Sequence, residues 1–343
     1  MSSFKDERKY IIKSKDLGSF WYIRNYIDKE KGSLFFKYLK NQSASEFEED
    51  ESGNKIVIPK DNISNFWHVA TVNVGRVSRM PRLIRQMSDS EESIHYGGKK
   101  HQTHKWDINI FNIRIDLMRR FGIFLDFCLC NYYRNGEDSI NAHSDRESLG
   151  KRNVTLGFSL GQERDFIITK AKGGKAEHME KCNKKDIRQT NKKDYDLLHC
   201  GNDRDFYRAI FHNKSRDLYC MIDAFHSNFV HEIQKEKKKS IGPRISLTFR
   251  QTKDDDYYRK KGIDTSDIEG QIKRLIKNKK DFCDPNSKDI GILSLFENEE
   301  IKDKKKERMK ELKVGELEVG ELEVGENSKD ESELRKIRDF SKK

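Results

Sequence analysis

The sequence has few apolar residues and no long apolar run. Hydrophobic residues make up 34% of the 343 residues. No stretch of about eighteen consecutive apolar residues occurs, which excludes a conventional transmembrane helix. The first residues also lack the apolar stretch of a secretory signal. We therefore expect an intracellular protein of the nucleus or cytoplasm, without membrane association.

Cysteine is sparse, and an excess of acidic residues is absent. The six cysteines contain no CxxC pair, so we expect reduced thiols, no disulfide framework and no structural zinc site. The formal net charge is +11 and the isoelectric point is near 9.1. This balance favours a polyanionic partner such as nucleic acid. A well-solvated, lysine-rich surface would give the same balance, so charge alone leaves both interpretations open.

The sequence does contain a spaced set of metal-ligand residue types. His143 and Asp145 are two residues apart, and His231 follows within an apolar stretch. Two imidazoles and one carboxylate can occupy one face of an octahedral iron(II) ion and leave three positions open. A single histidine in such a stretch is more often a packing or surface residue. The three residues together predict an iron centre.

Strand alternation places further polar side chains on common faces. Asn131 and Tyr133 share one face of a predicted strand, where each taken alone would be a packing or surface residue. Guanidinium groups offer forked donors to carboxylates, so we expect a short dicarboxylate between the two arginines of the last strand. That strand, residues 244–250, presents four polar side chains on one face: Arg244, Ser246, Thr248 and Arg250.

These motifs, in this order, resemble the AlkB family of iron(II)- and 2-oxoglutarate-dependent dealkylating dioxygenases, roughly from Leu17 to Gln251. The resemblance rests on residues 131–136, 143–147, 159–166, 231 and 242–250. It implies that the metal ligands are His143, Asp145 and His231, and that the cosubstrate contacts are Asn131, Tyr133, Arg244, Ser246 and Arg250. At Ser246 many family members carry asparagine instead.

The resemblance also implies an activity. We expect oxidative demethylation of N-alkylated bases in DNA or RNA. The reaction would use iron(II), 2-oxoglutarate and O2, and it would release succinate, carbon dioxide and formaldehyde. Two alternatives stay open: the same chemistry on a protein side chain or lipid, and a catalytically silent nucleic-acid-binding protein. Predicted substrate contacts are Arg82, Tyr96, Glu147 and Arg164, of which the last two could instead form structural ion pairs.

The order of apolar segments predicts an α+β, mainly β architecture. Its core is a double-stranded β-helix, or jelly-roll, with flanking helices and a nucleotide-gripping cover. Helices are predicted over 33–39, 107–121 and 266–280 from apolar residues at helical spacing. Strand signals are densest at residues 124–133, 154–160, 166–170, 218–222, 229–233 and 245–251.

Composition divides the chain into three parts. Residues 1–14 are predicted to be flexible, and residues 15–253 to form the dioxygenase domain. Within that domain, 65–105 is the predicted substrate cover and 172–215 a surface insertion with a short helix. Residues 254–343 form a charged extension, predicted to be disordered around a Val-Gly-Glu-Leu-Glu repeat. We expect a monomer.

Overall fold

The computed structural model describes residues 7–44, 65–73, 77–90, 94–96, 99–145, 152–172, 175–176, 187–200, 206–236 and 241–293. The strands are β1 (Lys9–Ser14), β2 (Gly18–Ile23), β3 (His68–Asn73), β4 (Val77–Ser88), β5 (Ile94–Tyr96), β6 (Lys99–His101), β7 (Phe127–Tyr133), β8 (Ile140–His143), β9 (Thr155–Gly161), β10 (Arg164–Lys172), β11 (Lys175–Ala176), β12 (Ile187–Asn191), β13 (Tyr195–Cys200), β14 (Phe206–Asn213), β15 (Leu218–Ile222), β16 (Phe229–Ile233) and β17 (Arg244–Arg250). The helices are α1 (Lys29–Lys40), α2 (Ile108–Phe121), α3 (Phe225–Asn228), α4 (Asp255–Lys260), α5 (Ile268–Lys277) and α6 (Lys279–Phe282). The described chain is therefore mainly β, as predicted.

The larger sheet, which we call the major sheet, has eight antiparallel strands. Their order is β1-β2-β15-β9-β17-β7-β4-β3. β17 pairs with β7 on one side and β9 on the other, so Arg244 lies opposite both Tyr133 and Gly161. Every residue of β17 is buried, because this central strand is covered on both faces. Its polar side chains therefore point into the interior rather than into water.

The second sheet, the minor sheet, follows the order β12-β13-β14-β10-β16-β8, and β11 pairs with β10. Its strands are also antiparallel. The two sheets pack face to face through one apolar cluster, to which Phe20 and Tyr219 belong on the major side and Phe166, Phe211 and Phe229 on the minor side. Two antiparallel sheets around a shared core form the sandwich expected of a jelly-roll.

The predicted helix over 107–121 is confirmed as α2, and its ends follow helix-capping rules. The Asp107 carboxylate accepts from the amides of Asn109 and Ile110, and Gly122 closes the helix at a φ of 65°. Both terminal nitrogens of Arg114 donate to Asp89 at 2.6 Å, which fixes α2 against the end of β4. Among the described residues, no helix has the length and apolar character needed to cross a bilayer.

Both ends of the predicted domain need correction. Residues 9–14, predicted to be flexible, form β1 because Ile12 packs into the core. The folded unit continues past residue 253 to Leu293. The backbone amide of Trp106 donates to Phe282, and the amide of Asp284 donates to Trp106, so the segment after β17 is tied to the start of α2. Residues 294–343, with the repeat, lie outside the described residues.

The predicted insertion also differs from expectation. Among its described residues there is no helix; β12, β13 and β14 occupy most of them. β14 pairs with β10 in the middle of the minor sheet, so it is a core strand rather than an addition. Its outward positions carry Arg208 and His212, and these polar residues concealed the apolar alternation of Ala209 and Phe211. The β12–β13 hairpin alone extends the sheet.

Four of the five cysteines that the structure describes follow the prediction. Cys128, Cys130, Cys220 and Cys283 are free and buried. Cys200 is disulfide-bonded, which corrects the expectation of a reduced thiol at that position. The other predicted free thiol, Cys182, lies outside the described residues.

Candidate active site

Three side chains converge between the two sheets at the β8 end. His143 is the last residue of β8, and its Cα is paired in register with that of His231 in β16. Asp145 follows β8 by two residues, so its carboxylate turns toward the same point. His143 Nε2 lies 3.6 Å from Asp145 Oδ1, and His231 Nε2 lies 4.0 Å from Asp145 Oδ2. One ligand atom from each residue falls within 4.8 Å of the others.

Both imidazoles are held in the form that binds metal. His143 Nδ1 donates to the Asn141 carbonyl at 2.8 Å, because a carbonyl oxygen only accepts, and this leaves Nε2 with its lone pair toward Asp145. Loss of hydration lowers the pKa of His143 and, more strongly, that of His231. Neutral imidazoles at neutral pH are the species that a metal ion requires.

The carboxylate of Asp145 is buried and ionised. Burial alone would raise its pKa, but the Arg250 guanidinium and the two imidazoles outweigh that effect and hold the pKa well below its usual range. Arg250 Nη1 lies 3.6 Å from Asp145 Oδ1. Asp145 Oδ2 accepts no hydrogen bond from the part of the chain that the structure describes. A buried anionic oxygen without a donor, beside two neutral imidazoles, fits iron(II).

A second group of polar side chains lines the same cavity. Arg244 is 1% exposed, and its Nε donates to Ser159 Oγ at 3.1 Å. Its Nη1 and Nη2 have no hydrogen-bond acceptor among the described residues. Burial lowers the pKa of Arg244, while Tyr133 and Tyr219 act in the opposite direction. Buried guanidinium donors without an acceptor fit the carboxylate of 2-oxoglutarate. The predicted cosubstrate residues Asn131, Tyr133, Arg244, Ser246 and Arg250 all line this cavity together with the three metal-ligand residues.

Arg82, predicted to contact substrate, lies behind the cosubstrate residues. It is 3% exposed, its Nε donates to Asn131 Oδ1 at 2.6 Å and its Nη1 donates to the Ser139 carbonyl at 3.3 Å. These bonds orient the Asn131 amide and connect β4 to the start of β8. The structure therefore places Arg82 as a support of the cavity wall.

The other predicted substrate residues are placed differently. Arg164 is 1% exposed and forms an ion pair with Glu236 at 2.8 Å. It also donates to the carbonyls of Asn135, Asp138 and Gln234, which clamps the loop before β8 to the end of β16. Tyr96 is the last residue of β5, and its side chain is outside the description. Glu147 lies outside the described residues.

Sequence reasoning missed several residues beside the cavity, two of which carry polar groups. Tyr219 lines it from β15, and strand alternation in 218–222 would have assigned Tyr219 and Met221 to one face. His226 in α3 is buried, with its Nε2 3.3 Å from Thr155 Oγ1. Burial lowers the pKa of His226, although the charge of Asp145 acts in the opposite direction. No sequence spacing signalled His226, because a four-residue helix places it there.

Comparison with known proteins matches this geometry. A family model described as the 2OG-Fe(II) oxygenase superfamily matches residues 20–250. A protein of Acanthamoeba polyphaga mimivirus, itself described as uncharacterized, is 23% identical over 164 residues, which cover 48% of this chain and 69% of that protein. The matched span of the family model contains all three metal-ligand residues and both arginines of β17.

Proposed function

This chain belongs to the 2OG-Fe(II) oxygenase superfamily, and from that premise we propose that it is an AlkB-like dealkylase that oxidatively demethylates N-alkylated bases of DNA or RNA. As a member of the superfamily it is an iron(II)- and 2-oxoglutarate-dependent dioxygenase that consumes O2. Only the substrate goes beyond this membership.

The residues of the chain divide the chemical tasks. His143, Asp145 and His231 would hold iron, and Arg244 would neutralise a carboxylate of 2-oxoglutarate. Bound iron(II) supplies the oxidation of a substrate C–H bond by O2, coupled to decarboxylation of 2-oxoglutarate to succinate and carbon dioxide. Oxidation of an N-methyl group gives an N-hydroxymethyl group, which releases formaldehyde and restores the N–H of the base. No protein nucleophile is required.

The observation that carries the nucleic-acid proposal is the position of the β3–β4 hairpin. It extends the major sheet beyond β7, and the Ser139 amide donates to the Pro81 carbonyl at 2.9 Å, which ties β4 to the strand bearing His143. β3 also contacts β6, where Lys100 is exposed. This structure supports a cover beside the metal-ligand residues, where cations and rings could hold a flipped base and its phosphates.

The net charge of +11 adds a second, weaker support, because cationic surfaces supply the sequence-independent part of nucleic-acid affinity. Extracting a methylated base from a duplex costs a few kcal/mol, and less from a single strand. We therefore expect single-stranded substrates to react faster than duplexes.

The test is a demethylation assay with the full chain. The protein is supplied with iron(II) and 2-oxoglutarate and offered 1-methyladenine or 3-methylcytosine in single- and double-stranded DNA and RNA. We expect formaldehyde and unmethylated base in equal amounts, and neither with His231→Ala. A methylated peptide and a lipid serve as parallel substrates. Succinate formation stimulated only by peptide or lipid would overturn the nucleic-acid proposal and leave the oxygenase chemistry intact.

A further inference from the structure

A second cavity, which we call the outer cavity, lies on the face of the major sheet that turns away from the metal-ligand residues. Its volume is about 420 Å³. Side chains alternate along β2, so Phe20 and Tyr22 join the core between the two sheets, whereas Trp21 points to the opposite face and lines the outer cavity. The ring of Trp21 lies 5.3 Å from that of Phe121, the last residue of α2. The major sheet therefore separates the outer cavity from the cosubstrate cavity.

The outer cavity combines an apolar wall with a polar side. The apolar wall consists of Trp21, Phe121, Ile123, Phe124, Val154 and Ile222. On the polar side, Asp255 Oδ1 accepts hydrogen bonds from Gln251 Nε2 and Thr265 Oγ1, each at 2.8 Å. That carboxylate therefore already has donors. A concave, largely apolar space of this size with a few polar groups is the usual form of a small-molecule site.

Arg8 brings a cation with unused donors to the apolar wall. Its guanidinium carbon lies 5.0 Å from the ring centroid of Trp21 and 5.5 Å from that of Phe121. Arg8 Nε is buried and has no hydrogen-bond acceptor among the described residues. A guanidinium over an aromatic face still directs its N–H groups outward in its own plane, where they can reach an anion. The outer cavity therefore has an anion-binding group beside its apolar wall.

Arg152 is a second cation of the outer cavity, and its charge is balanced. Its Nε and Nη2 donate to the two carboxylate oxygens of Asp223, at 3.1 and 2.9 Å. Burial raises the pKa of Cys220, which is paired with Trp21, whereas Arg8 and Arg152 both act in the opposite direction. The two guanidinium groups thus lie near one point of the sheet. Because Asp223 engages Arg152, Arg8 is left to bind an anion.

We propose that the outer cavity binds a small organic anion with a flat apolar body. The anionic group would accept hydrogen bonds from Arg8, and the body would cover Trp21 and Phe121. A neutral apolar molecule would leave the buried Arg8 Nε without an acceptor, and an inorganic anion would leave the apolar wall in contact with water. The proposal depends neither on the cosubstrate cavity nor on the substrate that is oxidised.

The test is a titration, followed by ligand-observed NMR, on the full chain saturated with zinc(II) and 2-oxoglutarate, so that the cosubstrate cavity is filled and no turnover occurs. Naphthalene-2-carboxylate supplies the charge and the flat body, and naphthalene-2-carboxamide supplies the same body without the charge. We expect a Kd of about 1 mM or lower for the carboxylate and a Kd about tenfold or more higher for the amide. Excess acetate, which has the charge without the body, should not displace the carboxylate probe.

The decisive variant is Arg8→Gln, which removes the guanidinium. We expect the Kd of the carboxylate probe to rise about tenfold or more and that of the amide to stay within about twofold. Arg8→Lys keeps the charge and should retain the preference for the carboxylate. The matched control is Arg259→Gln, which removes the same charge from α4, where Arg259 pairs with Asp256 at 2.6 Å outside the outer cavity. We expect unchanged affinity for both probes in this control.

The proposal would be overturned by no measurable binding of the carboxylate probe, by equal Kd values for the two probes, by displacement with acetate, or by unchanged affinity in Arg8→Gln. Binding of the carboxylate probe only when 2-oxoglutarate is omitted would also overturn it, because the probe would then occupy the cosubstrate cavity. A melting temperature close to that of the wild type confirms that each variant is folded. None of these measurements involves nucleic acid, so their failure is separate from failure of the demethylation assay.

Discussion

The space between the two sheets has two ends that differ in the side chains they bury. At the end formed by β2, β14, β15, α3 and the start of β16, aromatic rings pack at centroid distances such as 5.6 Å for Phe20 and Phe211 and 5.0 Å for Phe225 and Phe229. At the end formed by β7, β8 and β17, buried polar atoms lack partners among the described residues, including Arg244 Nη1 and Nη2 and Asp145 Oδ2.

The aromatic end contributes to the stability of the fold, whereas the polar end contributes to ligand binding. Rings at the aromatic end gain free energy from burial and contact in the folded state itself. Buried polar atoms at the other end cost free energy until a ligand satisfies them. One sandwich thus contains a region that holds the fold together and a region that is completed by metal and cosubstrate. Substitutions at the aromatic end should therefore lower stability, and substitutions at the other end should weaken the binding of metal or cosubstrate.

The largest effect is expected at the metal-ligand residues. His231→Ala removes one of three donors, so iron content should fall to background, and succinate formation should drop about a hundredfold or more, beyond the loss seen for outer-shell changes. Metal analysis and succinate assays measure this. His212→Ala, in β14 of the same sheet and separated from β16 by β10, is the control and should retain iron. Stoichiometric iron in His231→Ala would contradict the assignment.

At the aromatic end the loss should be one of stability. Phe211 is fully buried and contacts both Phe20 and Tyr22, so Phe211→Ala should lower the free energy of unfolding by about 3–5 kcal/mol through lost burial and a cavity. Urea denaturation gives this value. The folded fraction should still bind iron. A variant that unfolds like the wild type would show that this end is less tightly packed than described.

Arg244→Met should weaken cosubstrate binding without lowering the stability of the ligand-free protein. Loss of the guanidinium should weaken 2-oxoglutarate binding by about 2–5 kcal/mol, because the distal carboxylate loses its charged partner. The ligand-free protein should be as stable as the wild type or more stable, since two buried groups without acceptors are removed. Calorimetry and thermal melting without ligand measure the two quantities. Equal losses of stability and affinity would refute the separation.

The smallest effect concerns His68, in β3 beside the binding end. Burial lowers its pKa to about 3 in the folded protein, against about 6.5 in an unfolded chain. Between these values only the unfolded state takes up the proton, so stability should fall as pH drops below about 6.5, at up to about 1.4 kcal/mol per pH unit. His68→Gln should flatten this dependence in urea denaturation between pH 7 and pH 5. Parallel slopes for the two proteins would exclude His68 as its source.

The cosubstrate residues were largely predictable because they lie on regular strands, where alternation places Arg244 and Arg250 on one face. His143 was assigned from its spacing to Asp145 and not from a strand, because β8 was not predicted. Residues whose position depends on tertiary packing were not predictable. Arg82 was predicted to contact substrate, yet it is buried and bonded to Asn131.

The fold was predicted where apolar periodicity is strong, as in α2 and β17. Several minor-sheet strands were missed, and for two of them, β8 and β14, the physical reason is plain. β8 is only four residues long and carries polar residues, and β14 shows polar side chains on its outward face. Both are held by pairing with neighbouring strands rather than by their own pattern. The end of the folded unit was missed because the short helices after residue 253 are stabilised by contact with residues distant in sequence. Leu275 is buried in the core, and Cys283 pairs with Trp106.

The attachment of the last described segment to α2 has a consequence for biosynthesis. The Asn109 side chain accepts a hydrogen bond from the Ile290 amide and donates one to the Lys288 carbonyl, so contacts at the start of this helix span up to 181 residues. On the ribosome, α2 is synthesised long before residues 288–290, and most strands of the sandwich are synthesised between them. A chain stalled before residue 288 would leave that helix start incomplete, and such a nascent chain is a natural client for chaperones.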